Sequence, residues 1–66
     1  MNVVVNGEDR TVVPACTVAD LATDLGVGPK GVAVAVNGEV VGRSEWTERR
    51  LDEGDRVEVL GAMQGG

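Results

Sequence analysis

Few side chains in this sequence could do chemistry, and each is weighed against its neighbours. Cys16 is the only thiol, and there is no His. Without His there is no general base titrating near neutrality to convert Cys16 to a thiolate nucleophile. Cys16 also stands just before a helix signal, where an apolar side chain packs on the first turns, so it reads as a core residue. His-based zinc sites are excluded, and one thiolate cannot complete a Cys site. Gly26-Val27-Gly28-Pro29-Lys30-Gly31 has the G-x-G-x-x-G spacing of a dinucleotide loop. Such a loop works only between a strand and the N-terminus of a helix. Here a helix ends and a strand begins, so the glycines read as a helix stop and a loop. Asp52, Glu53, Asp55 and Glu58 cluster without calcium-loop spacing and read as a solvated turn. Trp46, the single aromatic residue, reads as a cover on one edge of the core.

The last two residues, Gly65-Gly66, are of another kind. A Gly-Gly end is often only a frayed terminus. The functional alternative has a definite physical basis. Two residues without Cβ can be threaded, extended, through a narrow channel. The terminal carbonyl then has no branched neighbour to block attack. Its carboxylate, with a reference pKa of about 3.3–3.7, is ionised at neutral pH and is a poor electrophile. It becomes reactive only after activation, for instance as an acyl-adenylate, and activation requires another enzyme.

Residues 1–60 must present that end, and their patterning predicts how. Asn2–Val5 and Arg10–Val13 read as an antiparallel pair around Asn6-Gly7, with Glu8 and Asp9 widening the turn. Pro14 stops the second strand. Thr17-Val18-Ala19-Asp20 fits a capping box, and Cys16 with Leu21 fits a hydrophobic staple. Val18, Leu21, Ala22 and Leu25 then form one apolar helix face, which Gly26 terminates. Val32–Val36 alternates strictly between Val and Ala, and Asn37-Gly38 turns it into Glu39-Val40-Val41. Ser44 is expected to cap a short turn through Glu45, Trp46 and Thr47. Arg56–Leu60 is the last strand, with Val57 and Val59 inward. Residues 61–66 show no periodicity and read as a flexible tail. The order β-β-α-β-β-β predicts an α+β domain: one main helix on one face of a mixed four- to five-stranded sheet. The first and last strands are expected to lie parallel in its middle.

Composition narrows the remaining possibilities. Sixty-six residues make one domain without room for a large core and an enclosed active site. Fourteen of them are Val, which favours strands. The net charge of −5 argues against a nucleic-acid partner, because phosphate contacts need clustered Lys and Arg. No apolar run approaches the roughly 18 residues of a membrane span, and no signal-peptide pattern opens the chain. A single Cys fits a reducing compartment, so a cytoplasmic location is expected.

Several stretches together resemble one family. They are Thr17-Val18-Ala19-Asp20-Leu21, Gly31 to Val41 (with Val36-Asn37-Gly38-Glu39), Arg43-Ser44-Glu45-Trp46, Glu53-Gly54-Asp55-Arg56-Val57-Glu58-Val59, and Gln64-Gly65-Gly66. The chain resembles, over its whole length, the ThiS family of sulfur carriers in thiamin (thiazole) biosynthesis, which have the ubiquitin-like β-grasp fold. One departure is Gly42, where the family often has Pro, and it should loosen the turn. The resemblance implies a carrier rather than an enzyme. Gly66 would be adenylated and then thiocarboxylated, with Gln64 and Gly65 threaded into partner sites. It implies three partners: an E1-like, ThiF-like adenylating enzyme, a sulfur-donor protein and a ThiG-like thiazole synthase. No cofactor would be bound permanently; ATP and magnesium would serve the activating enzyme. By similarity to β-grasp relatives, the sheet face opposite the helix would dock partners. Alternation places Val4, Ala33, Ala35, Glu58 and Leu60 on that face. A carrier resembling the small subunit of molybdopterin synthase, and a ubiquitin-like interaction module with an incidental Gly-Gly, are the alternatives.

Overall fold

The computed structural model describes residues 1–27 and 30–61. Five strands and one helix follow in the order β1 (Asn2–Val5), β2 (Glu8–Thr11), α1 (Val18–Leu25), β3 (Val32–Val36), β4 (Glu39–Val41) and β5 (Arg56–Gly61), with a single 3₁₀ turn at Arg43–Glu45. In space the strands run β2-β1-β5-β3-β4. β1 and β5 are parallel, and the other neighbours are antiparallel. This is the β-grasp arrangement, with β5 in the centre of a mixed five-stranded sheet.

Both hairpins turn on Asn-Gly. Asn6 and Asn37 have φ of 50° and 52°, and the glycines after them 85° and 86°. Positive φ at both central positions defines the primed turn whose twist matches a hairpin. Such a turn needs only two residues. β2 therefore starts at Glu8, with Val5 opposite Glu8, and not at Arg10 beyond a widened loop. At the other end β5 includes Gly61, which pairs with Val32, one residue beyond the predicted limit.

The helix has the predicted start and stop. Thr17 accepts from the Asp20 N–H at 3.1 Å, and Asp20 returns the bond to the Thr17 N–H at 3.1 Å. The remaining early donors are also satisfied: Val18 N–H by Arg49 C=O at 2.9 Å and Ala19 N–H by Trp46 C=O at 3.0 Å. The segment after β4 thus closes the helix N-terminus, which would otherwise leave bare donors. At the other end Gly26 is left-handed at φ 77°. There the Val27 N–H reaches Ala22 C=O and the Gly26 N–H reaches Thr23 C=O, both at 3.0 Å. Those two bonds are the Schellman closure.

The 3₁₀ turn differs from expectation. It starts after Gly42 with no side-chain cap, and Ser44 lies inside it. The turn is closed by its backbone, Glu45 N–H to Gly42 C=O at 2.8 Å. Gly42 itself sits at φ −65° and ψ 150°, so it follows the backbone path that a proline would take.

Between sheet and helix lies the core. Val3, Val5, Val34, Val36 and Val57 from the sheet meet Val18, Leu21 and Ala22 from α1, with Val12, Cys16, Val41, Trp46 and Leu51 around them. Trp46 covers one edge as expected, and its indole N–H is satisfied by Val41 C=O at 3.1 Å.

Candidate functional site

Alternation along the strands creates a second sheet face, turned away from α1. Val4 and Ala35 are half-buried there, and Ala33, Glu58 and Leu60 are exposed. The register brings four of these residues side by side, Ala33 opposite Leu60 and Ala35 opposite Glu58. Val4 lies on the same face across β5, opposite Arg56. The predicted set is thus contiguous. It omits Val40, which faces Ala35 across β3 and β4 and is 77% exposed. The buried neighbour Val41 could have signalled this, since adjacent strand residues point to opposite faces. Leu60 and Val40, two of the large exposed apolar side chains, flank the low ground of Ala33 and Ala35. A face of this shape admits close approach of a partner.

β5 links this face to the candidate reactive end. Two side chains grip it from the two Asn-Gly turns. At its start, Asn37 Oδ1 accepts from the Arg56 N–H at 2.9 Å, and Asn37 Nδ2 donates to Asp55 Oδ1 at 3.0 Å. Near its end, Asn6 Oδ1 accepts from the Val59 N–H at 2.9 Å, and Asn6 Nδ2 donates to Val59 C=O at 3.2 Å. Val59 and Gly61 then border a cleft of about 430 Å³, with Val5 of β1 and with Leu25 and Val27 at the end of the helix. Gln64, Gly65 and Gly66 lie outside the described residues.

The other residues singled out by type have structural positions. Cys16 is buried, and its thiol pKa is pushed above the ordinary thiol value, first by burial and then by the negative charges of Asp20 and Asp24. It is a packed neutral thiol and not a nucleophile. The acidic cluster is more than a solvated turn. Asp55 is buried and accepts from the Asp52 N–H at 2.8 Å as well as from Asn37, so it ties the turn to the second hairpin. Glu53 accepts from the Asn2 N–H at 3.1 Å. The described part of the Gly-x-Gly stretch is a helix stop and not a phosphate loop. No group of three or more potential metal ligands occurs among the described residues.

Fold and site together define a small ubiquitin-like module, with one apolar sheet face and a central last strand leading toward the Gly-Gly end. The model of the ThiS family matches residues 3–66. The chain is 43% identical over 61 residues to the sulfur carrier protein ThiS of Thermus thermophilus, covering 92% of this chain and 94% of that one. It is 36% identical over 66 residues to a thiazole synthase of Paramagnetospirillum magneticum, spanning all of this chain but only 20% of that enzyme. The crystal structure of the thiamine biosynthesis protein ThiS from Geobacter metallireducens superposes with a TM-score of 0.80 at 39% identity, over 100% of both chains. The solution structure from the same organism gives 0.81 over 100% of this chain and 88% of that one. The chain belongs to the ThiS family.

Proposed function

We propose that the chain carries sulfur for thiamine biosynthesis, as a thiocarboxylate on Gly66. The observation that carries this reading is the family match, which runs over residues 3–66 and so takes in Gln64, Gly65 and Gly66. The chemistry follows from the group present. An E1-like enzyme adenylates the Gly66 carboxylate with ATP and magnesium, releasing pyrophosphate. A persulfide sulfur then attacks the activated carbonyl and AMP leaves. Cleavage of the resulting S–S bond by a thiol leaves the terminal thiocarboxylate. Gln64 and Gly65 thread the active sites, and glycine at the last two positions keeps the carbonyl accessible. The protein is a co-substrate whose reactive group is made and used by other enzymes.

Thiazole synthase is the proposed acceptor of the sulfur. In support, the Paramagnetospirillum magneticum thiazole synthase contains a segment similar to this whole chain. The sheet face of Val4, Ala33, Ala35, Glu58 and Leu60, extended by Val40, is the proposed docking surface, since it is contiguous and partly apolar.

The test is intact-mass analysis after incubation with a ThiF-like enzyme, ATP, magnesium and a persulfide donor. The expected result is a mass gain equal to exchange of one oxygen for one sulfur, absent when Gly66 is deleted. An unchanged mass with several competent activating enzymes overturns the reading.

A further inference from the structure

The backbone of β5 alternates in direction. Arg56, Glu58 and Leu60 bond toward β3, as the Asn37 N–H to Arg56 C=O contact at 2.7 Å fixes the phase. Val57, Val59 and Gly61 therefore turn their N–H and C=O toward β1. β1 supplies partners only at its own length: the Val4 N–H reaches Asp55 C=O and the Asn6 N–H reaches Val57 C=O, both at 2.9 Å. After that the chain reverses through Asn6-Gly7, and β1 has no further backbone to offer. The next rung, at Val59, is made by a side chain. The Asn6 carboxamide takes both the N–H and the C=O of Val59.

The turn alone does not call for this residue. A positive φ is met by Gly, Asp or Asn. Only the carboxamide carries a donor and an acceptor together, in the geometry of a peptide unit. We propose that Asn6 is a positioning residue for the reactive end: it stands in for a missing rung of β1 and fixes the direction in which β5 hands over to the tail. Val59 lies seven residues before Gly66. With the rung in place, β5 is held from both sides up to Val59. Without it, the strand past Val57 is held only by β3, and the root of the tail at Leu60 and Gly61 loses its support on the β1 side. A partner must then order that root on binding, at an entropic cost that the native protein meets in advance. The effect belongs in KM for the carrier, since the chemical step on Gly66 is made by the partner's groups. This inference rests on the carrier reading of Gly66.

Asn37 provides an internal control. It occupies the same kind of turn and grips β5 by the same side-chain chemistry, but at the end remote from the tail. N6G keeps the positive φ and removes the rung; N37G does the same at the other end; N6D keeps the acceptor and removes the donor. Hydrogen exchange and ATP–pyrophosphate exchange with a ThiF-like enzyme read the result. In N6G the Val59 amide should exchange at least about tenfold faster. The KM for the carrier should rise about fivefold with kcat within about twofold. N6D should fall between. N37G should leave KM unchanged even where it lowers the melting temperature more. Equal KM for N6G and wild type, or equal rises in N6G and N37G, overturns the proposal, as does Val59 exchange that N6G leaves unaltered. A wild-type protein that no activating enzyme accepts overturns the carrier reading instead. Loss of Val59 protection confined to N6G would then still support the rung.

Discussion

Ala35 and Val36 are neighbours in β3, yet Val36 is fully buried while Ala35 lies half-buried on the opposite face. The same contrast holds across the sheet. The face under α1 is built from valines, at positions 3, 5, 34, 36 and 57. The other face mixes Val4, Ala33, Ala35, Val40, Glu58 and Leu60. Valine's restricted χ1 suits a pleated surface that must mesh with a single helix. Among the described residues no element packs on the other face, and there Leu60 and Val40 project beside the smaller Ala33 and Ala35. One face is thus packed into the core, and the other, the proposed docking surface, is not.

Three perturbations probe that division, in falling order of their effect on the fold. Leu21→Ala empties the helix side of the core, where Leu21 is 1% exposed, and should cost about 2–5 kcal/mol in denaturant unfolding. A core in a chain this short supplies no more than about 3–5 kcal/mol, so the variant should be largely unfolded on warming. A two-state midpoint within a few degrees of wild type would show that the helix face is not the stabilising one.

Cys16 tests the same interior by titration. Burial first, and then the charges of Asp20 and Asp24, push its folded thiol pKa above the unfolded value, so the folded state binds the proton more tightly. That contribution is complete below the unfolded value and is lost as pH rises through the folded one. Alkylation of Cys16 should accordingly be slow in the native protein and fast in denaturant at the same alkaline pH. Equal rates would place Cys16 outside the core.

Leu60→Arg is the mildest for the fold. Leu60 is 69% exposed, so stability should move by no more than about 0.5 kcal/mol. Turnover by the activating enzyme should nonetheless fall. Unchanged turnover removes this face from docking, and a stability loss like that of Leu21→Ala removes the division between the faces.

What was legible in the sequence was local or periodic. The capping box of Thr17 and Asp20, the stop at Gly26 and the Val-Ala alternation of β3 each depend on residues a few positions apart. That Val4, Ala33, Ala35, Glu58 and Leu60 share one sheet face followed from the same alternation, short of Val40. The start of β2 was misjudged because two residues suffice for the Asn6-Gly7 turn, whereas Glu8 and Asp9 look like loop residues by composition. The roles of Asn6 and Asp55 were hidden for another reason. The Val59 partner of Asn6 lies 53 positions away, and the Asn37 partner of Asp55 lies 18 away. Nothing in a window of sequence distinguishes an asparagine that only turns the chain from one that also completes a distant strand. Ser44 misled because the 3₁₀ turn is closed by backbone groups alone.

The strand at the centre of the sheet, β5, is also the last of the five described strands in chain order. Before β5 emerges from the ribosome, β1–β2 and β3–β4 are two hairpins with no rung between them. A lone hairpin is marginal in water. Cooperative folding of the sheet must therefore wait until β5 has been synthesised, because the β1–β5 pairing joins segments far apart in sequence. A protein stalled or clipped before β5 loses the seam between its halves, and quality control would see it as unfolded. Chains that do fold are, by construction of the sheet, those in which β5 has been made and paired with both hairpins.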